Sequence, residues 1–335
     1  MQAVLYDTYG PPETLRMQEV HTPVPVDDEI LVQIGATTVT PVDTAFRAGD
    51  NFFARLFTGL RKPRRQILGS ELAGRVVAVG PSVTRFRVGD VVFGGSDVGF
   101  GTHAEYVSLS ESGALEKKPA NMSIVEAATV SNGALTALPF LRDEAKLQPG
   151  DRILIIGASG SIGTMAVQLA KHLGAHVTAV CSTKNVALVE SLGADEVIDY
   201  TKTDFSRPGP GGRAPYDAVF DTVGKSSFRQ AEAVLAPRGI YMTTVISFAV
   251  LLQMGWTKIV PGRRAVFAAT GLRSPADKRA DMALIVELYQ AGTLRTVIDR
   301  HYPLGQIAEA HRYVDTGHKR GNVVIDVAVD SRPAA

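Results

Sequence analysis

The sequence predicts an α/β fold in which a doubly wound parallel sheet is joined to a compact, mostly-β domain. Three observations predict it. From about residue 150 to 270, short apolar runs alternate with helical stretches, the pattern of parallel strands covered by helices on both faces. The first run passes through a Gly/Ser-rich turn into a helix, Arg152-Ile-Leu-Ile-Ile-Gly-Ala-Ser-Gly-Ser-Ile-Gly-Thr164. Residues 1–125 instead carry short β-like runs punctuated by Gly and Pro.

Taken in order, residues 1–6 read as a first strand rather than a secretory leader, since no basic region precedes an apolar run. The next strands are 30–34, 74–79, 90–93 and 104–107, with Asp27-Asp28, Gly80-Pro81 and Gly89-Asp90 as turn signals. At Ser123 the period changes. Ser123-Ile-Val-Glu126 has capping-box spacing ahead of a short helix towards Thr129, and 134–144 reads as a second helix. Strand 152–157 then leads to a helix ending near 173, and strand 176–181 to a helix over 184–192. Strands 196–199 and 216–221 follow, then a helix over 226–235 and strands 239–245 and 264–269. Helices over 281–291 and 304–316 and a strand over 322–327 close the chain, with 330–335 expected to fray. The division is a β-rich domain over 1–125, a nucleotide-type domain over 126–270 and a C-terminal return to the first domain over 271–335.

The 335 residues are 45% hydrophobic and 21% charged, enough for two well-packed domains. A net charge of +1 without long single-sign blocks gives no footprint for nucleic acid or anionic lipid, so neither partner is expected. Cys181 is the single cysteine, which rules out an internal disulfide and a four-cysteine zinc site and suits a reducing, cytoplasmic setting. Residues 239–257 lack charge and approach a membrane-spanning length, but their β-branched start and Ser247, Gln253 and Gly255 favour a buried strand leading into a pocket-lining helix.

The turn after strand 152–157 carries chemistry. Ala158, Gly160 and Gly163 hold the three special positions of a dinucleotide fingerprint, with Ala158 in place of the usual first glycine. At Gly160 a side chain would obstruct a pyrophosphate, Gly163 lets helix and strand pack closely, and the helix N-terminus offers N–H groups to an anion. Ser159, Gly160, Ser161 and Ile162 are therefore the expected pyrophosphate ligands. At the end of the second parallel strand, where an NAD site carries an acid for the ribose hydroxyls, stand Ser182, Thr183 and Lys184. A carboxylate would repel a 2′-phosphate, whereas a hydroxyl and an ammonium can bind it, so Ser182 and Lys184 point to NADPH. The competing reading is an ordinary strand-turn-helix, with Ser182 as a helix cap and Lys184 solvated.

Further motifs run along the chain: Tyr9-Gly-Pro-Pro-Glu13, Val39-Thr-Pro-Val-Asp43, Leu68-Gly-Ser-Glu-Leu-Ala-Gly74, Val88-Gly-Asp-Val-Val-Phe93, Gly101-Thr-His-Ala-Glu-Tyr106, Ala134-Leu-Thr-Ala137, Leu192-Gly-Ala-Asp-Glu-Val-Ile-Asp-Tyr200 and Phe220-Asp-Thr-Val-Gly224. In this order and spacing they make the chain resemble the medium-chain dehydrogenase/reductase superfamily over nearly its whole length, and within it the zinc-free quinone oxidoreductase branch. The resemblance implies a Rossmann domain, a GroES-like catalytic domain and a homodimer joined edge to edge through strand 264–269. It adds Tyr200 to the 2′-phosphate seat, where a half-buried strand-end aromatic is the alternative, and sets Thr136, Val223, Ile246 and Asn322 towards the nicotinamide. It places the aromatic stretch with Phe52, Phe53 and Phe57 where the family opens its pocket. Phe248 and Trp256, just past the fifth parallel strand, add apolar bulk, and together these residues imply a hydrophobic acceptor. The basic run over 61–65 reads either as an attractant for an acidic substrate or as a solvated loop.

Zinc alcohol dehydrogenases of the superfamily carry a cysteine just before the Asp43 region and a histidine before the glutamate at 71. Here Thr40-Pro41-Val42 and Ser70 hold those places. Zinc takes thiolate or imidazole donors at fixed geometry, so no metal is expected, and Glu71 and His103 read as structural. Quinone oxidoreductases usually carry an asparagine where Thr40 stands, and enoyl reductases a tyrosine acid near 49–53, which this chain lacks. Thr40 and Asp43 are the remaining catalytic candidates. Without a Lewis acid for an alkoxide, hydride delivery to a conjugated acceptor is the less demanding chemistry. The expected function is zinc-independent, NADPH-dependent reduction of a quinone or an α,β-unsaturated ketone. The alternatives are a zinc-free NADP-dependent alcohol dehydrogenase and a non-catalytic NADPH-binding protein.

Overall fold

The computed structural model describes residues 1–50, 52–64, 66–96, 99–207 and 214–327, and the side chain of Phe53 lies outside that set. In chain order the strands are β1 Gln2–Leu5, β2 Arg16–Glu19, β3 Glu29–Val39, β4 Glu71–Val79, β5 Val91–Gly95, β6 Tyr106–Ser110, β7 Leu115–Lys117, β8 Arg152–Ile156, β9 His176–Cys181, β10 Glu196–Asp199, β11 Tyr216–Asp221, β12 Leu235–Thr243, β13 Arg264–Phe267, β14 Ile298–Pro303 and β15 Asn322–Asp326. The α-helices are α1 Pro41–Ala48, α2 Phe52–Thr58, α3 Ile124–Pro139, α4 Ser161–His172, α5 Val186–Ser191, α6 Phe228–Glu232, α7 Phe248–Ile259, α8 Pro275–Gln290 and α9 Ile307–Asp315. They form two compact units. One is Met1–Asn132 with Leu272–Gln290 and Thr296–Ala335, the other Gly133–Gly271 with Ala291–Arg295.

The second unit is built on one sheet in the order β10-β9-β8-β11-β12-β13, every pair parallel. Numbered within the unit, this is the 3-2-1-4-5-6 order of the Rossmann dinucleotide fold. In β8 four consecutive residues, Ile153 to Ile156, are buried because helices cover both faces. Leu154, Ile156, Val180, Ile198, Val219 and Tyr241 join in one core, each aliphatic contributing roughly 1.5–3 kcal/mol when fully buried.

In the first unit the sheet runs β14-β15-β3-β4-β5-β7, with β6 also on β3, and β1 and β2 form a separate antiparallel pair. The eleven-residue β3 organises it. Irregularities between Leu31 and Val32 and between Ile34 and Ala36 mark where β3 bends. Its first half pairs with β6 and its second half with β15, which arrives nearly 300 residues later in the chain. Ile30, Val32, Ile34, Leu72, Val76, Val323 and Ile325 meet in the core beneath α9 residues Ile307, Ala310 and Val314.

Several sequence expectations are corrected. Residues 123–129 and 134–144 are one element: α3 is continuous and ends in a π turn over Phe140–Glu144. Gly133 does not break it, because it is a packing glycine, where a Cβ would stand 2.8 Å from the Ser161 carbonyl oxygen. The helix over 226–235 shortens to α6, and β12 begins at Leu235 rather than at 239. The strand over 264–269 ends at Phe267. Strands β2, β7 and β14 and helices α1 and α2 were not foreseen. All four residues of β2 are exposed, so no apolar run announces it.

Candidate functional site

The turn between β8 and α4 holds three glycines with different reasons to exist. Gly157 has φ +77°, and a Cβ there would meet Val223 Cγ1 at 2.6 Å and Thr222 Oγ1 at 2.8 Å. It, rather than Ala158, makes the tight turn, a role the fingerprint reading missed. Gly163 lies against β8, where a Cβ would stand 2.1 Å from the Gly157 oxygen. Gly160 has an ordinary φ of −82°, and, its chain neighbours aside, the one atom of the described residues within 4 Å of its imagined Cβ is the Gly157 oxygen at 3.4 Å. Folding does not demand glycine there, and the open space suits a close-lying ligand. Gly160 is also the N-cap of α4 and brings no side chain to its first N–H groups, so the turn fits an anion such as a pyrophosphate. Ser159 and Ser161 are nearly buried and Ile162 is half-buried beside them.

At the end of β9, Ser182 precedes a 3₁₀ turn over Thr183–Asn185, but its side chain makes no cap bond. Thr183 donates to Asp199 Oδ2 at 2.6 Å. Hydroxyls of Thr183 and Thr201 hold the Asp199 carboxyl well below the usual carboxylate range. Lys184 is exposed and has no ion-pair partner among the described residues. Tyr200 donates its backbone N–H to Cys181 O at 3.0 Å, which sets it next to Ser182. It is 55% exposed, not the half-buried aromatic of the alternative reading. Asn185, absent from the sequence reading, is 4% exposed and links two expected ligands: its amide donates to Ser159 Oγ at 2.9 Å and to Ser182 Oγ at 3.2 Å.

Past the end of β11, buried Asp221 gathers the loop that carries Val223. Its carboxylate accepts from the backbone of Val223, Gly224 and Ser226 at 2.7–3.0 Å and from Ser226 Oγ at 2.6 Å. Thr222 donates to Ile156 O at 2.8 Å and ties the loop to the Gly157 turn. Sequence reading named this motif but assigned Asp221 no role. Val223 is 43% exposed, Ile246 is half-buried between β12 and α7, and Thr136 is half-buried on α3. Phe248 and Trp256 lie on α7 and are each 66% exposed.

The other expected residues belong to the first unit. Thr40 caps α1 in a reciprocal capping box with Asp43. Asp43 Oδ2 accepts from Thr40 Oγ1 at 2.7 Å and from Thr40 N at 2.8 Å, and Oδ1 accepts from Gly69 N at 3.0 Å. Both side chains are buried, and the Thr40 proton is already given to Asp43. Glu71 is buried and accepts from Thr38 Oγ1 at 2.5 Å, Asn132 N at 2.8 Å and Ser131 Oγ at 3.2 Å. Burial nevertheless pushes its carboxyl up to about 7. His103 is buried with Nε2 on Thr38 O at 2.9 Å, and burial lowers its pKa. No three His, Cys, Asp or Glu among the described residues are grouped to hold a metal. Asn322 is buried at the start of β15 and donates its side-chain amide to Val297 O at 3.1 Å. Phe52 and Phe57 lie exposed on α2, and Phe53 falls outside the described side chains. Of the basic run, Arg65 is also outside the described residues.

The chain matches the family model of the alcohol dehydrogenase GroES-like domain over residues 26–120 and that of the zinc-binding dehydrogenases over residues 192–325. A chloroplast envelope quinone oxidoreductase homolog of Arabidopsis thaliana is 33% identical, over 97% of this chain and 98% of its own length. A human mitochondrial NAD(P)H oxidoreductase is 32% identical over 98% and 89%. A solved quinone oxidoreductase of Coxiella burnetii shares the fold with a TM-score of 0.86 at 30% identity, covering 98% of this chain and 99% of that one.

Proposed function

The chain belongs to the medium-chain dehydrogenase/reductase superfamily and is an oxidoreductase with a nicotinamide cofactor, and from that premise we propose that it reduces a quinone or an α,β-unsaturated ketone with NADPH and without a metal. The observation that carries the reading is the end of β9, where Ser182 and Lys184 stand in place of an acid and Lys184 is unpaired. An exposed ammonium beside a hydroxyl suits a 2′-phosphate.

The donor set does not fit zinc. Thr40 to Val42 and Ser70 offer neither thiolate nor imidazole, Glu71 is taken up by three hydrogen bonds, and His103 Nε2 is bonded to a carbonyl. No step therefore runs through a metal. When bound, NADPH supplies a hydride that adds to the acceptor, the displaced electron pair goes to a carbonyl oxygen, and water supplies the proton. The Gly160 turn and the α4 N-terminus bind the pyrophosphate, and Ser182, Lys184 and Tyr200 bind the 2′-phosphate. The Asp221 loop shapes the nicotinamide end through Val223. Thr40 and Asp43 hold α1 and the Gly69 backbone in place rather than deliver a proton. Exposed Phe52 and Phe57 on α2 are apolar surface that suits a hydrophobic acceptor.

The proposal extends to a homodimer, since among the described residues β13 pairs only with β12 and so ends the sheet, and to a cytoplasmic setting, since a chain with the single cysteine Cys181 forms no internal disulfide. The named relatives belong to organelles. Sedimentation giving a monomer at micromolar concentration would remove the dimer. The main test is NADPH oxidation by metal-free protein, with NADH as control, against ortho-quinones, para-quinones and alkenones. Turnover preferring NADPH is expected. Tight binding without turnover would favour a non-catalytic NADPH-binding protein, and chelator-sensitive alcohol oxidation would overturn the proposal.

A further inference from the structure

We infer that Asn185 is a positioning residue that turns Ser159 and Ser182 into oriented donors for two separate phosphates of the cofactor. The inference rests on the NADPH reading above and adds a residue it does not contain. A serine hydroxyl has one proton and two lone pairs, and its role towards a ligand depends on which of these the protein consumes. The buried Asn185 amide donates to Ser159 Oγ at 2.9 Å and to Ser182 Oγ at 3.2 Å, so in each serine the protein takes a lone pair. Neither hydroxyl donates to a protein atom among the described residues. Both protons are left for a ligand, and a phosphate oxygen is an acceptor only. Neighbouring Thr183 shows the opposite case: its proton goes to Asp199, which leaves its oxygen nothing to donate.

The placement makes the two donors a pair. Ser159 lies in the turn beside Gly160, at the pyrophosphate position, and Ser182 lies at the end of β9, at the 2′-phosphate position. One side chain therefore sets the hydroxyl direction at both. Asn185 is itself held by its backbone, whose N–H donates to Ser182 O at 2.8 Å. Its Oδ1 is buried with no protein partner, so the amide is kept at the cost of an unpaired acceptor, which a purely structural bridge does not require.

The test is equilibrium binding, by calorimetry, of 2′,5′-ADP and 5′-ADP to the wild type, Asn185→Ala, Ser182→Ala and the double variant, with thermal melts as a check on folding. For 2′,5′-ADP each single variant is expected to raise Kd about tenfold. The double variant is expected to be weaker by about thirtyfold at most, from loss of Ser182 and of the Ser159 orientation, short of the roughly hundredfold that two independent effects would give, because Asn185 acts through Ser182 at the 2′-phosphate. For 5′-ADP, Asn185→Ala is expected to weaken binding about threefold through Ser159, and Ser182→Ala not at all. Asn185→Asp covers the case in which Asn185→Ala does not fold. Its carboxylate still bridges both serines but accepts their protons and repels a phosphate, so the inference predicts a loss of more than tenfold for 2′,5′-ADP. Additive effects in the double variant, or wild-type binding by Asn185→Asp, would overturn the inference alone. Wild-type affinity for 2′,5′-ADP no tighter than for 5′-AMP, which differs from it only by the 2′-phosphate, would overturn the NADPH reading, and the inference with it.

Discussion

The two polar corners of this protein spend their hydrogen bonds in opposite directions. In the first unit, Thr40 and Asp43 bond each other and the Gly69 backbone, Glu71 accepts from Thr38, Ser131 and Asn132, and His103 gives Nε2 to Thr38 O while its Nδ1 stays without a partner among the described residues; all four are buried. In the second unit, Ser159 and Ser182 keep their protons, Lys184 keeps its charge, and Gly160 keeps an empty space. The difference teaches how to tell a carboxylate that builds a scaffold from a hydroxyl with a proton to spare. The first has its capacity filled by the fold, and the second has capacity left over.

The sharpest way to break this contrast uses two glycines of one turn. Gly163→Ala sets a methyl against the Gly157 oxygen and is expected to lose about 3 kcal/mol or more of folding stability in urea titration. Gly160→Ala is expected to cost at most about 1 kcal/mol, from a poorer cap of α4, while binding NADPH more weakly, and equal destabilisation by both would remove the distinction. Next, Lys184→Ala is expected to raise KM for NADPH roughly tenfold or more, as loss of a charge-assisted hydrogen bond does, and to leave KM for NADH within about twofold. Equal effects on both cofactors would end its phosphate role.

Glu71 tests the inward-facing corner through pH. Its folded pKa of about 7 lies above the ordinary glutamate value of 4.5, so the folded state binds the extra proton. The associated stability is fully present below about pH 4.5 and is lost as pH rises through 7. Relative to Glu71→Gln, the wild type is expected to lose about 2 kcal/mol between pH 5 and 8, and a flat difference would show that the hydrogen bonds outweigh burial. The smallest effect is expected from Thr40→Ala, about 1 kcal/mol from loss of a helix cap with kcat nearly unchanged. A hundredfold fall in kcat without a stability change would instead make Thr40 catalytic.

The sheet of the second unit was legible because a parallel sheet buried on both faces writes each strand as a short apolar run, although the 3-2-1-4-5-6 order of the six strands is written in no single run. The turn glycines were legible for the same local reason, although the positive φ fell on Gly157 rather than at position 158. Asn185 was not legible, because a polar residue after a strand looks alike whether it faces water or links two serines.

The sequence by itself determined the fold class, the glycine-rich turn after β8 and the lack of cysteine and histidine over Thr40–Val42 and at Ser70, since each depends on residues within about a dozen positions of one another. Tertiary structure alone decided that β3 extends to Val39, because only β15, closing the sheet from the far end of the chain, gives its second half a partner. It also decided which polar groups are satisfied and which are left over. Hydrogen-bond capacity is consumed by neighbours in space, and Asn185 meets Ser159 only once β8 and β9 pair.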